Sequence, residues 1–188
     1  MFKKYIVSTN TQKVLKFFSL HQGKACYERE VAKGARISYG SANSVLRELC
    51  KAELLQKTTQ GRMCYYRMDE STPYIKEFKI LVNLLILEPV IEKLKEHSRK
   101  IVLYGSWADG TDTAESDIDL FIVSSVEEKV RKIIDKYSNS KKMAGRRIQC
   151  IIYGPEDLLD TGGREKVFMA QVEKGKVLWE KDIDEDNL

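Results

Sequence analysis

The chain of 188 residues holds only four cysteines, Cys26, Cys50, Cys64 and Cys150, and no two form a Cys-x-x-Cys pair. That spacing supports neither a zinc site nor a disulfide framework, so reduced thiols in a cytoplasmic protein are expected. Histidine is scarcer still. His21 and His97 fall in the ends of expected helices without partners and read as incidental, not as ligands. Long apolar runs are missing too: the longest, Ile80 to Leu87, is interrupted by Asn83 and is far short of bilayer length. The opening Met-Phe-Lys-Lys-Tyr-Ile-Val-Ser has neither the apolar core nor the small-residue cleavage site of a secretory leader. No membrane partner is expected.

What is present is unevenly spread. The net charge of +4 conceals a front end, residues 1–68, with 13 Lys and Arg against 4 Asp and Glu, a net of +9. The other 120 residues carry 19 against 24, a net of −5. The length admits one medium domain or two small ones. The asymmetry favours two with different partners, the first meeting a polyanion.

Thr9-Asn-Thr-Gln12 supplies helix-start chemistry ahead of Val14, Leu15, Phe17, Phe18 and Leu20, which recur at helical intervals and stop at Gln22-Gly23. A second helix is expected over Tyr27 to Lys33, ending at Gly34. A third, from about Ser41 to Ala52, carries the apolar stripe Ala42, Val45, Leu46 and Leu49. Leu54 to Thr58 and Met63 to Met68 flank Thr59-Gln-Gly-Arg62, which predicts a hairpin with a basic tip. Three helices and a hairpin, with Ser41-x-x-Ser44-x-x-Arg47 and then Leu49-x-x-x-x-Leu54-Leu55, resemble the winged helix-turn-helix domains of bacterial and archaeal transcriptional regulators. The resemblance implies double-stranded DNA as a partner, with the third helix in the major groove and the wing on the backbone. Ser38, Tyr39, Ser41, Asn43, Ser44 and Arg47 would then approach DNA, with Lys57 or Arg62 as the wing contact. Arg47 and Lys51 suit phosphate or guanine, and Asn43 suits adenine. Winged helices also serve as docking modules, which remains the alternative.

Ser71-Thr72-Pro73 opens a strongly apolar helix over 73–87, expected to break at Glu88-Pro89 and to serve as an inter-domain or homodimer helix. The expected organisation is an α+β two-domain chain. It comprises a winged-helix domain at 1–70, a linker helix at 71–88, a small α/β domain with a mixed sheet at 89–180, and an acidic tail at 181–188. Within the third part, strands are expected at Lys100 to Tyr104, Asp117 to Val123 and Arg147 to Tyr153, and Gly175 to Trp179 is expected to close as a short strand or an extended tail. Helices are expected at Glu127 to Tyr137 and Glu165 to Glu173, with a helical turn at Pro155 to Leu159.

Asp117 and Asp119 stand at i and i+2 on one expected strand and so project from the same face. Two adjacent carboxylates repel unless a cation lies between them, and a divalent metal is the usual solution. Gly105-Ser106 closes the preceding strand, and ten residues separate it from Asp117. Gly105 permits close approach of the backbone to a neighbouring group, and Ser106 offers a hydroxyl and an N–H. Gly-Ser followed by Asp-x-Asp on the next strand resembles the smallest members of the polymerase-β superfamily, which include antitoxin and aminoglycoside nucleotidyltransferase relatives. The resemblance spans about residues 89–180. It implies Mg²⁺ held by Asp117 and Asp119, a nucleoside triphosphate (ATP foremost) at Gly105 and Ser106, and nucleotidyl transfer to a hydroxyl acceptor.

Two departures bear on activity. Gln149 stands where the third carboxylate of that family is expected, and Asp109 stands where relatives often carry arginine. An amide has no charge and cannot act as a base. Asp109, Asp112, Glu115, Glu156 and Asp157 are acids that could substitute, and Lys100, Arg146 and Arg147 are candidate phosphate partners. Three readings stay open: an active nucleotidyltransferase brought to nucleic acid, a catalytically inactive nucleotide-sensing regulator, and an antitoxin-like interaction protein.

Overall fold

The computed structural model describes residues 6–69, 72–138, 140, 143, 145–157 and 163–181, without the side chains of 163–165. The chain forms two compact units, Met1–Leu85 and Ile86–Leu188. It is a mixed α+β fold with, among the described residues, one sheet of three strands and another of four.

In the first unit, helix α1 (Asn10–Ser19) starts from a capping box. The Thr9 hydroxyl accepts from the Gln12 backbone N–H at 3.2 Å, and the Gln12 side-chain Oε1 accepts from the Thr9 N–H at 3.0 Å. Strand β1 (Cys26–Tyr27) follows, too short to leave a periodic signal and not foreseen. Helix α2 (Glu28–Ala35) passes through Gly34, where a stop was expected, and closes on Arg36 in the left-handed region. Gly34 is there for packing, because a Cβ at that position would strike the Phe17 ring of α1.

Helix α3 (Tyr39–Lys51) buries Ala42, Val45, Leu46 and Leu49, the expected stripe. Strands β2 (Leu55–Gln60) and β3 (Met63–Met68) pair antiparallel, with Gln60 opposite Met63 across a Gly61-Arg62 turn. Gly61 takes the positive φ of +61° that such a two-residue turn requires. Strand β1 adds to the other edge of β3, giving the order β1-β3-β2. Phe17, Phe18, Val31, Leu46, Leu55 and Tyr66 anchor the core between helices and sheet. Three helices ending in a two-stranded wing make this unit a winged helix-turn-helix arrangement.

Helix α4 (Pro73–Leu94) corrects the expected break: it runs straight through Pro89. Proline removes one intrahelical hydrogen bond and crowds the preceding turn. That local loss is outweighed because the apolar series continues beyond it, with Val90, Ile91 and Leu94 buried. The boundary between the units, Leu85/Ile86, therefore lies inside one helix, where a linker ending at Glu88 was expected. Tyr74 is 81% exposed, but Ile75, Ile80, Val82 and Leu85 are all buried in the single chain.

In the second unit, after a 3₁₀ turn at Lys95–His97, strands β4 (Lys100–Tyr104), β5 (Ile118–Val123), β6 (Ile148–Tyr153) and β7 (Lys176–Glu180) lie in the order β6-β5-β4-β7. The β5–β6 pair is parallel and the other two are antiparallel, so the sheet is mixed. The parallel pair is bridged by α6 (Glu127–Tyr137), which buries Val130 and Ile134, as a parallel crossover requires. The short α5 (Ser106–Asp109) follows β4, and α7 (Gly163–Glu173) precedes β7. Tyr104, Phe121, Tyr153 and Phe168 meet edge-to-face over one side of the sheet, at centroid distances of 5.3–6.0 Å. Ile118, Leu120 and Ile122 are buried too, so both faces of β5 are covered and its sequence reads as an almost unbroken apolar run.

Among the described residues no helix is long and apolar enough to cross a membrane. The acidic tail beyond Lys181 and the end of the expected turn at 155–159 lie outside the described residues.

Candidate functional site

Strand β4 delivers the chain to Gly105, whose φ of 69° and ψ of −156° belong to a region essentially reserved for glycine. The position is crowded as well as strained: a Cβ there would stand 2.8 Å from Oδ2 of Asp119. The Gly105 carbonyl accepts from the N–H groups of Ala108 and Asp109, each at 3.1 Å, starting α5 at Ser106. Trp107, 1% exposed, fixes this turn in the core.

Register places the acids. Tyr104 of β4 lies opposite Asp119 of β5, and Asp119 lies opposite Gln149 of β6. Asp117 precedes β5 and shares the side of Asp119, and both are half-buried. Burial pushes the Asp119 carboxyl above the ordinary range, and the Asp117 charge adds to the shift. Two hard-oxygen donors side by side, next to a cradle kept open by a missing Cβ, fit one divalent oxygen-seeking cation.

Gln149 occupies the position expected for a third acid, and its amide N–H donates to Oδ2 of Asp117. Among the described residues no group of three or more His, Cys, Asp or Glu side chains could hold a metal. Asp109, Asp112, Glu115, Glu156 and Asp157 therefore do not complete the set. Asp112 is buried, at 3% exposure, while Asp109, Glu115, Glu156 and Asp157 lie on the surface.

The candidate phosphate cations separate. Lys100 begins β4, at the far end of the strand from Gly105, and pairs with Glu180 at 2.8 Å, which corrects its assignment to the site. Arg147 lies beside Asp117, since its carbonyl accepts from the N–H of Ile118 at 2.9 Å. Arg146 is half-buried next to it. Sequence reasoning missed Lys174, which with Gly105, Ala108, Asp109 and Gln171 lines a cleft of about 240 Å³. Nothing in the sequence ties residue 174 to residue 105. A larger groove, about 680 Å³, lies on the other flank between α6 and β6, lined by Arg131, Asp135, Arg147 and Gln149 among others.

In the first unit the residues expected to meet DNA divide in two. Ser38 caps α3: its hydroxyl accepts from the Ser41 N–H at 3.1 Å and donates to the Ser41 hydroxyl at 2.8 Å. Tyr39 and Asn43 both donate to Glu28, Asn43 at 2.8 Å. The Tyr66 hydroxyl donates to the same carboxylate at 3.0 Å. Hydrogen bonding from Tyr39 above all holds the Glu28 carboxyl below the usual range, against a smaller opposing effect of burial. Ser44, Arg47, Lys57 and Arg62 are exposed on α3, β2 and the turn. Glu28 and Tyr66 were missed: their partners are 11, 15 and 38 residues apart in sequence, beyond any local pattern.

A Gly-Ser turn closing one strand, an Asp-x-Asp pair on its antiparallel neighbour and a small mixed sheet define the second unit as a nucleotidyltransferase-type domain. The model of the family described as Polymerase beta, Nucleotidyltransferase matches residues 88–184, more than half of the chain, and the chain belongs to that family. No curated protein matches it. Among solved structures, MepR, a transcription regulator of the Staphylococcus aureus multidrug efflux pump MepA, is 14% identical. That match covers 50% of this chain and 70% of MepR, with a TM-score of 0.38. A putative nucleotidyltransferase from Sulfolobus solfataricus is 12% identical over 60% of this chain and 94% of its own, with a TM-score of 0.39.

Proposed function

We propose that the protein binds duplex DNA through its first unit and a Mg²⁺–nucleoside triphosphate, ATP foremost, through its second, and that it transfers a nucleotidyl group to a hydroxyl acceptor. The observation that carries the nucleotide half is the contact geometry at Gly105, where only a missing side chain lets the chain pass Asp119. Asp117 and Asp119 hold the cation, Gly105 and Ser106 receive the phosphates, and Lys174 adds positive charge from the turn after α7. When bound, the cation neutralises the phosphate oxygens and the departing pyrophosphate. In the transfer, the acceptor oxygen bonds to the α-phosphorus, the bond to pyrophosphate breaks, and the acceptor proton passes to solvent water. Gln149 cannot take that proton.

That last point favours a second reading, a nucleotide sensor without turnover. One experiment separates the two. Calorimetric titration with ATP and Mg²⁺ is expected to give binding that the Asp117→Ala/Asp119→Ala variant loses. Incubation with labelled triphosphates and candidate acceptors then reports transfer in the wild type and in Gln149→Glu. The transferase reading expects label transfer by the wild type, and more by the variant that restores a third carboxylate. The sensor reading expects binding alone in the wild type. Undiminished nucleotide binding in the double Ala variant would sink the site assignment for both.

A further inference from the structure

Glu28 sits at the first position of α2, yet it accepts hydrogen bonds from three other places. Tyr39 comes from the first turn of α3, Asn43 from its second, and Tyr66 from the strand that carries the wing. An ionised carboxylate only accepts. The orientation of all three donors is thereby forced. The Tyr39 hydroxyl must spend its proton on Glu28, leaving its oxygen with lone pairs and nothing to donate. The Asn43 amide must turn its nitrogen towards Glu28, which fixes Oδ1 on the opposite side of the amide.

We infer that Glu28 is a specificity-determining positioning residue, which makes α3 present hydrogen-bond acceptors to those bases of the contacted strand that carry an exocyclic amine. The inference rests on the DNA-binding reading of this unit and deepens it. In the major groove those amines are N4 of cytosine and N6 of adenine; guanine and thymine show only acceptors at the equivalent positions. Tyr39 is 52% exposed and Asn43 half-buried, so both keep a surface towards a partner. Asn43 also retains its second amide hydrogen, which still permits the paired contact with adenine N7 and N6. Tyr66 is 2% exposed and bonds the carboxylate from inside the unit. It is a third donor to a carboxylate that Tyr39 and Asn43 already engage, and it is too buried to touch DNA.

The full chain is incubated with a pool of randomised duplexes, and the bound fraction is sequenced for the wild type, Glu28→Gln, Tyr39→Phe and Tyr66→Phe. Glutamine keeps the size of Glu28 but can donate as well as accept, so Tyr39 and Asn43 are no longer forced outward as acceptors. On the contacted strand, the wild type is expected to enrich adenine or cytosine over guanine or thymine at the positions facing these two residues. Glu28→Gln should lose about tenfold of that preference, and Tyr39→Phe should lose it at one position. Tyr66→Phe should retain it. Binding to a single random duplex should fall equally with added salt in all four, because phosphate contacts are untouched. An unaltered preference in Glu28→Gln, or an equal loss in Tyr66→Phe that marks a structural effect, would overturn the inference while DNA binding stands. Absence of salt-sensitive duplex binding by the wild type would remove the DNA reading itself and the inference with it.

Discussion

Gly105 and Asp119 form a pair in which each residue limits the other. The backbone of Gly105 occupies a region that costs an L-residue about 1–3 kcal/mol, and its missing Cβ leaves room for the Asp119 carboxylate, whose Oδ2 would lie only 2.8 Å from such a carbon. Gly105→Ala is therefore expected to lower the melting temperature and to weaken Mg²⁺-dependent nucleotide binding together. Calorimetry of both properties checks this, and a stable variant with normal binding would count against the pairing. Asp119 carries the opposite strain. Its folded pKa is raised, first by burial and then by Asp117. The protonated form is thus favoured in the fold, and its stabilising contribution is lost as pH rises through the raised value. Asp119→Asn should melt higher than the wild type at neutral pH without divalent ions, and the gap should close as pH falls below that value. A gap independent of pH would assign the effect to something other than charge.

At the scale of elements, local chemistry decided most starts and long-range packing decided several ends. The capping box at Thr9 and Gln12 set the start of α1 as its residues imply. The apolar runs of β4 and β5 were legible because both faces of the sheet are covered. Gly34 was misleading, since glycine near a helix end usually marks a cap, whereas here it admits the Phe17 ring. Gly-Ser and Asp-x-Asp made the second unit's candidate site legible because its parts are near in sequence. The Glu28 cluster and Lys174 were hidden because only the fold brings them to their neighbours. Pro89 is the clearest case of packing overriding local preference. An interior proline costs about 3 kcal/mol relative to alanine, and α4 tolerates it where Val90, Ile91 and Leu94 continue the buried series. Pro89→Ala restores an N–H towards the Leu85 carbonyl at an exposed position. It is expected to stabilise the chain by about 1–3 kcal/mol, read from denaturant unfolding. No gain would mean that the carbonyl already has another partner.

Across the whole molecule the charge changes sign between the two halves, +9 over residues 1–68 and −5 beyond. A polyanion approaching this chain is attracted by the first part and repelled by the second, which orients the encounter before any contact forms. The exposed cations Arg47 on α3, Lys57 on β2 and Arg62 at the wing tip lie on the elements a winged helix presents to DNA. Each phosphate neutralised releases counterions and contributes about 0.9 to the slope of log affinity against log salt. Removing Arg47 and Arg62 together should reduce that slope by about 2. Fluorescence anisotropy of a labelled duplex, titrated with the full chain at several salt concentrations, measures it. The same loss should appear on unrelated sequences, since phosphates carry no base information. A slope unchanged by the double substitution would move the polyanion contact off α3 and the wing. Selective loss on one sequence alone would instead mark Arg47 as a reader of guanine.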